Sequence, residues 1–302
     1  MKNVCRKLEN ENLKSYSSMK TGGNAKELYL PETREQLEEV LVYLIKQGDK
    51  FVVLGNMSNV LVPDEGIDVP VIITTSMRRF EIVSQNDKKA LVYADSGMSL
   101  TKFSMDMCKM GFSDISFGYG IPGTVGGGVY MNAGAYDGEL SSVVKEVYAI
   151  DTDGNRVTLS NEQCAFSYRE SVFMKKELYI TGALFEFDIA DSSALIENAK
   201  TLMSKRAEKQ PLEYPSCGST FKRPEGYFAG ALIEQAQLKG KCVGGACVSQ
   251  KHAGFVINKC NATTDDVLAL MRFIRKTVEE KSGVTLEAEI RLIGKDGECF
   301  EL

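Results

Sequence analysis

The sequence predicts an α+β fold in two consecutive parts, and three observations predict it. Strand-like and helix-like segments are mixed without the strict strand–helix–strand alternation that a doubly wound parallel sheet requires. Near residues 189–193 the pattern changes from short apolar strands to a long polar helix, which sets a boundary between 1–190 and 191–302. The chain, 302 residues long, is 43% hydrophobic and 25% charged, the proportions of a globular protein able to fill a core in each part.

The elements follow in order. A glycine turn at 22–23 precedes a short strand at 28–30. A helix then starts at Thr33, with Gln36 completing a capping box. It presents Leu37, Val40, Leu41 and Leu44 on one face and stops at Gly48. FVVL at 51–54 is a buried strand, interrupted by the polar loop Gly55, Asn56, Met57, Ser58, Asn59 and resumed at 60–62. A strand, a short polar loop and another strand make a place where backbone N–H groups can meet an anion. Strands follow at 71–74, 80–83 and 91–94, then an amphipathic helix over 99–110 closed by Gly111. Segments 143–151 and 156–159 flank a hairpin with an Asp153-Gly154 turn signal. Strands at 178–180 and 183–188 close the first part. The second part holds a helix over 194–209, a loop over 211–224, a helix over 228–238, strands around 242–248 and 255–258, a helix over 264–281 and a strand over 284–293.

A net charge of −5 argues against a general nucleic-acid binder. No apolar run approaches the roughly 18 residues of a membrane span, and MKNVCRK at the N-terminus lacks a signal-peptide core, so a cytoplasmic protein is expected. Eight cysteines without a CxxC pair, and a single histidine, His252, disfavour a metal site. In a cytosolic chain those cysteines are expected to be reduced thiols, mostly buried.

Seven of the 27 glycines fall within residues 117–136. Ordered glycine costs backbone entropy, and the usual compensation is a main chain that must approach something closely, phosphate above all. Gly118, Gly120 and Gly123 satisfy G-x-G-x-x-G literally. That fingerprint, however, must follow a buried strand and open a helix. Upstream lies the short polar run SDISF at 113–117, and downstream Gly126, Gly127 and Gly128 each cost about 1 kcal/mol in a helix interior. The dinucleotide fold is therefore rejected while the phosphate contact is kept.

GNMSNVLV at 55–62, GIPGTVGGGVYMNAGAY at 120–136, YRES at 168–171, PSCGSTFKRP at 215–224, GGACVSQKHAGFVIN at 244–258 and LEAEIRLIG at 286–294 occur in sequence. Together they resemble the UDP-N-acetylenolpyruvoylglucosamine reductases, the MurB flavoenzymes of peptidoglycan precursor synthesis, from about residue 15 to the C-terminus. The resemblance implies an FAD-binding domain of the vanillyl-alcohol-oxidase type in two lobes, about 1–75 and 76–190, and a smaller α+β substrate domain. It implies non-covalent FAD, NADPH as co-substrate, and UDP-N-acetylglucosamine enolpyruvate as the molecule reduced to UDP-N-acetylmuramate. It also implies that Gly55, Asn56, Met57, Ser58 and Asn59, with Gly120, Pro122, Gly123, Thr124, Gly126 and Gly127, cradle the FAD pyrophosphate. Asn132, Gly134 and Ala135 would lie against the cofactor. A monomer without nucleic-acid or membrane partners is expected.

Adding hydride beside a carboxylate requires a cation, a proton donor and an acidic or hydrogen-bonding group. At matching positions the resemblance implies Arg169, Ser219 and Glu289. Arginine suits the carboxylate because it stays charged and offers a planar fork. By residue chemistry alone Cys217 is the better acid–base group than Ser219. Strand period puts Glu287 and Glu289 on one face and cannot separate them. Substrate contacts are expected from Tyr168, Lys209, Lys222, Arg223 and His252. Positive charge does gather near Ser219, where Lys205, Arg206, Lys209, Lys222 and Arg223 lie, although a solvated helix end accounts for Lys205 and Arg206. The short stretch between Arg169 and Lys209 resembles the family branch that lacks a tyrosine-bearing insertion. Two other readings remain open: a flavin oxidase or dehydrogenase acting on an alcohol or hydroxy acid, and a nucleotide-sugar binding protein without catalysis.

Overall fold

The structure, a computed structural model, describes residues 4–302. In chain order it contains β1 (Arg6–Asn12), β2 (Asn24–Leu30), α1 (Arg34–Gln47), β3 (Val52–Leu54), β4 (Val60–Leu61), β5 (Val71–Ile73), β6 (Phe80–Gln85), β7 (Lys89–Asp95) and α2 (Leu100–Lys109). Then come α3 (Val125–Tyr130), β8 (Gly134–Ala135), β9 (Gly138–Glu139), β10 (Val144–Ile150), β11 (Arg156–Ser160), β12 (Tyr179–Asp188) and α4 (Ser192–Lys209). The remainder is α5 (Ala229–Gln235), β13 (Cys242–Val243), β14 (Ala246–Val248), β15 (Val256–Asn258), α6 (Thr264–Ser282), β16 (Arg291–Ile293) and β17 (Cys299–Phe300). The mixed α+β class stands.

Two compact units emerge. The first holds the described residues up to Leu8, Leu28–Asn56 and Val71–Arg206; the second holds Glu9–Glu27, Met57–Pro70 and Ala207–Leu302. This interleaved course differs from the single boundary expected near residue 190. The reason lies in the second unit's long-range bonds. There β4 pairs in parallel with β16, and the Thr264 hydroxyl, at the start of α6, donates to the Val62 carbonyl at 2.7 Å. No local sequence pattern signals either contact.

The first unit has two cores. In one, α1 begins at Thr33, whose side chain accepts the Gln36 N–H, and ends at Gly48 in the left-handed conformation. Its apolar stripe of Leu37, Val40, Leu41 and Leu44 packs on Tyr29, Ile72 and Ile150. The Gln36 side chain bonds the Glu32 N–H rather than that of Thr33, so the expected capping box is displaced by one residue. In the other core, α2 supplies Leu100, Phe103 and Met107 to an antiparallel sheet ordered β11-β10-β12-β7-β6. Strand β12 is continuous where two strands were expected. Its Gly182 faces the Tyr93 ring so closely that a Cβ would fall 2.5 Å from the Tyr93 hydroxyl.

The glycines at 126–128 do form a helix, α3, contrary to the sequence argument. Tertiary packing overrides the propensity cost: a Cβ on Gly126 would lie 2.7 Å from that of Ser96, and one on Gly128 would lie 2.8 Å from Leu140 Cδ1. Upstream of the helix, residues 116–118 form a single 3₁₀ turn, as the rejection of the dinucleotide fold requires.

In the second unit, α5 and α6 pack over the sheet β13-β14-β15 through Leu232, Ile233, Met271 and Ile274. Helix α6 carries a true capping box between Thr263 and Asp266. The strand expected over 284–293 is reduced to β16, preceded by an isolated bridge between Phe221 and Ala288. The expectation of eight reduced thiols is corrected at one place. Cys242 and Cys247 face each other across the β13–β14 hairpin and are joined by a disulfide with a Cα–Cα distance of 4.1 Å. A spacing of five residues gives no such signal in sequence, because the glycine turn at 244–245 creates the juxtaposition.

Candidate active site

In the first unit Gly55 and Asn56, which begin one of the loops singled out by sequence, abut the other. A Cβ on Gly55 would lie 2.4 Å from Thr124 Oγ1, so only glycine lets the chain pass there. The Asn56 side-chain amide donates to the Pro122 carbonyl. Thr101 Oγ1 donates to the Ile121 carbonyl at 2.7 Å, and the Leu100 N–H to that of Gly123 at 3.0 Å. Three consecutive carbonyls of the 120–124 loop are thus engaged inside the protein, and a loop held in this way presents amides to a ligand. Thr124 then caps α3 by accepting the Gly127 N–H.

Beside this loop lies a cavity of about 380 Å³ lined by Asn56, Pro122, Gly123 and Thr124, and also by Thr75, Arg78, Gly97, Ser99 and Lys102. The last group was not found from sequence. Arg78 and Lys102 are ordinary surface cations by pattern, and only the fold brings them to the loop. Lys102 is ion-paired with Asp106 one helical turn away. A glycine cradle with engaged carbonyls and cations at its edge fits a dinucleotide's pyrophosphate.

The expected Asn132 is fully buried, and its side chain is committed within the chain. Its amide donates to the Ser167 carbonyl at 3.1 Å and its oxygen accepts the Ser141 N–H at 3.0 Å. It therefore fixes the loop before the tight hairpin of β8 and β9, where Gly134 and Ala135 sit. Tyr136 and Asp137 turn that hairpin with φ of 51° and 65°. Arg169 donates from Nη2 to the Gly134 carbonyl at 3.1 Å, with its guanidinium 5.1 Å from the Tyr168 ring centroid. Its backbone is left-handed, φ 57°, within a turn closed by reciprocal bonds between Ser167 and Glu170. A non-glycine residue there costs on the order of 1–3 kcal/mol, a strain often stored at functional positions.

The second unit assembles the other candidates on backbone ladders. Thr220 is buried; its N–H donates to the Gly254 carbonyl and its hydroxyl accepts the Val256 N–H at 3.0 Å. Its carbonyl accepts the Glu289 N–H at 2.9 Å. Glu289 in turn offers its carbonyl to the Asn59 amide at 3.0 Å. Ser219, one residue before Thr220, is exposed beside Gly218, whose φ of 73° opens the loop.

Residues that the sequence leaves equivalent have different surroundings here. Glu287 is exposed and ion-paired with Lys222 at 3.3 Å, whereas Glu289 is half-buried in the ladder beside the Ser219 loop. Cys217 is fully buried with its thiol pushed up to about 12 by desolvation, so it stays protonated and out of acid–base use. Its thiol donates to the Val60 carbonyl at 3.4 Å, just past the segment of Met57, Ser58 and Asn59.

Among the expected substrate contacts, Lys209 ends α4 and is exposed, and Arg223 stacks on the exposed Phe228 ring at 4.0 Å. His252 is half-buried; its Nδ1 accepts the Gly254 N–H at 3.1 Å and burial lowers its pKa. The imidazole thus steadies the turn to which Thr220 is tied, leaving Nε2 as its remaining polar atom.

A family model described as FAD binding domain matches residues 25–160, and one described as the C-terminal domain of UDP-N-acetylenolpyruvoylglucosamine reductase matches residues 210–293. A protein of Clostridium botulinum (strain Eklund 17B) named UDP-N-acetylenolpyruvoylglucosamine reductase is 44% identical over 288 residues, covering 95% of this chain and 93% of its own. One of the same name from Lactobacillus delbrueckii subsp. bulgaricus is 41% identical, with 95% of each chain covered. The crystal structure of the corresponding reductase from Thermus caldophilus matches with a TM-score of 0.80 at 30% identity, covering 95% of this chain and 98% of that one. Among the described residues no helix is long and apolar enough to cross a membrane.

Proposed function

From the premise that the chain belongs to the UDP-N-acetylenolpyruvoylglucosamine reductase family, we propose the site and mechanism by which it works. The activity is flavin-dependent reduction of UDP-N-acetylenolpyruvoylglucosamine in peptidoglycan precursor synthesis, and the cofactor is FAD. When bound, FAD would supply the two-electron chemistry that links NADPH to the enolpyruvyl double bond.

The chain's own residues do the rest. Arg169, with a guanidinium oriented by the Gly134 carbonyl, holds the substrate carboxylate and the charge that develops beside it. Ser219 gives its hydroxyl proton to the carbon next to the one that takes hydride. A serine is a weak acid, so it depends on a neighbour, and that role is assigned to Glu289, whose N–H bonds the carbonyl of the adjacent Thr220. Lys209, Lys222 and Arg223 supply positive charge for the substrate diphosphate, with Tyr168 and His252 as further contacts. A monomer in the cytoplasm, working without nucleic-acid or membrane partners, completes the reading.

The observation that carries it is the ladder in which Thr220 accepts the Glu289 N–H and Asn59 grips the Glu289 carbonyl, because one rigid element then holds the proton donor's loop and its acid together. Half-reactions separate the roles. Under anaerobic conditions Ser219→Ala should leave flavin reduction by NADPH nearly intact and abolish reoxidation by the enolpyruvyl substrate. Loss of both half-reactions would sink the assignment. Oxygen-driven turnover of an alcohol would favour the oxidase reading instead.

A further inference from the structure

The disulfide between Cys242 and Cys247 lies in the second unit and takes no part in the chemistry assigned above. In the reducing cytoplasm proposed there, a protein disulfide is as a rule transient, catalytic or redox-sensing. Its two sulfurs are placed unequally. Cys242 is exposed on β13, a two-residue strand at the edge of the sheet β13-β14-β15. Cys247, on β14, is buried and packs with Phe255 and Ile257. A thiol therefore reaches the bond from the Cys242 side.

The bond sits between a fixed turn and a functional one. At the hairpin's own turn the Gly245 N–H donates to Asp266 Oδ2 at 3.0 Å, and its carbonyl accepts the N–H groups of Lys259 and Cys260. A Cβ on Gly245 would fall 2.2 Å from the Cys260 carbonyl oxygen, so this end has no room to shift. On the other side of the bond, β14 runs directly into Ser249. Its Oγ accepts the N–H groups of Lys251 at 3.1 Å and His252 at 3.2 Å, and its own N–H donates to the Phe255 carbonyl at 2.9 Å. The His252 ring stands edge-on to that of Phe255, with centroids 5.0 Å apart. Gly254, in the same turn, gives its carbonyl to the Thr220 N–H beside Ser219. Cys247, Phe255 and His252 thus form one packed run from the bond to the turn, and slack released in the hairpin passes toward residues 249–255.

We propose that Cys242 and Cys247 are a redox site, opened by a dithiol reductant, whose disulfide holds the 249–255 turn in its substrate-binding geometry. The proposal deepens the reading of His252 as a substrate contact and rests on it. To open the site, a reductant thiolate attacks Cys242 Sγ; the Cys242–Cys247 bond breaks, and Cys247 leaves with the electron pair and takes a proton. The reductant's second thiolate then attacks the mixed disulfide, which frees Cys242 as a thiol and closes the reductant's own disulfide. Two electrons pass from the dithiol to the protein, and exchange with an oxidised dithiol reverses both steps. Once open, the two sulfurs part to van der Waals separation. Cys242 turns to solvent, and Cys247 shifts against Phe255, the ring on which His252 rests.

The test uses full-length holoenzyme, either oxidised with diamide or reduced with dithiothreitol, freed of reagent and assayed anaerobically for NADPH oxidation by the enolpyruvyl substrate. Thiols are counted in denaturant, and Cys242→Ser and His252→Ala are treated in the same way. The reduced wild type should show two more thiols than the oxidised form. Its KM for the enolpyruvyl substrate should be higher by about fivefold or more, the lower end of coupling between sites. Its kcat should stay within about twofold and its FAD affinity should not change. Cys242→Ser should have the KM of the reduced wild type after either reagent. In His252→Ala the two treatments should give the same KM.

Equal KM values for oxidised and reduced wild type overturn the proposal, whether or not the melting temperature changes, and so does a loss confined to kcat. A response of Cys242→Ser to the reagents assigns the effect to another thiol and overturns it. A redox shift that persists in His252→Ala overturns the route through Phe255. Thiol counts that do not change with dithiothreitol show a permanent staple and overturn it too. Wild-type protein that reduces the enolpyruvyl substrate in neither form overturns the functional reading itself, an outcome distinct from all of these.

Discussion

Replacing Gly55 by alanine tests whether the two glycine loops act as one cradle. The new Cβ would sit 2.4 Å from Thr124 Oγ1 and 3.2 Å from its Cγ2. The first distance is about 1 Å short of ordinary contact, and relief by local shifts in a packed site costs roughly 1–3 kcal/mol. Thr124 Oγ1 cannot move freely, because it accepts the Gly127 N–H at 3.2 Å and caps α3; losing that cap costs about another 1 kcal/mol. The combined strain of roughly 2–4 kcal/mol falls on a loop that must hold its shape to bind FAD, so FAD affinity should weaken by about 30-fold or more at 1.4 kcal/mol per decade. Thr124→Ala alone should cost only the cap. In the double variant the remaining Thr124 Cβ stands 3.3 Å from the new methyl, which is tight but tolerable. The two substitutions should therefore be non-additive, with a coupling of about 1–2 kcal/mol in a double-mutant cycle of FAD dissociation constants. Strict additivity, with Gly55→Ala still strongly impaired in the double variant, would refute a direct clash and point to backbone strain at Gly55 instead.

Two further outcomes are expected. Glu287→Gln should leave turnover within about twofold, since that carboxylate is solvated and merely pairs with Lys222, whereas Glu289→Gln should lower kcat by about 100-fold or more in steady-state assays; equal effects would show that the half-burial of Glu289 does not select the acid. Cys217 should behave as a buried apolar group. Its thiol pKa is raised in the folded state, so its contribution to stability is intact below the unfolded thiol value near 8.5 and is lost as pH rises toward about 12. Denaturant melts should accordingly show a shallower alkaline decline in Cys217→Ala than in wild type, with the pH profile of turnover unchanged; a shifted profile would return Cys217 to the chemistry.

Much of the site was legible because its chemistry is written locally. The 120–124 loop, the Gly55 loop and the Ser219 loop each announce themselves by glycine and polar residues within a few positions, and backbone that approaches a phosphate needs little else. The same logic located most helices, whose ends, such as the cap at Thr33 and the stop at Gly48, are short-range signals. It failed at α3, where three glycines form a helix because Ser96 and Leu140 leave no room for side chains. It failed also at the Cys242–Cys247 bridge, which a hairpin register creates.

The sequence by itself therefore determined which functional groups the chain possesses and the family to which they belong. The tertiary structure decided how the members of each locally equivalent set differ in burial and bonding. Glu287 and Glu289 are indistinguishable by strand period and both have backbone bonds in the ladder, and they differ in that Glu287 is exposed and paired with Lys222 while Glu289 is half-buried. Cys217 and Ser219 are neighbours in one loop, and burial of the first against residues 57–60 leaves the hydroxyl of the second exposed. Arg206 looks like any helix-end arginine until Gly120 is folded over it. In each case the deciding quantity is desolvation or a hydrogen bond supplied from scores of residues away, and periodicity and composition carry no record of such a partner.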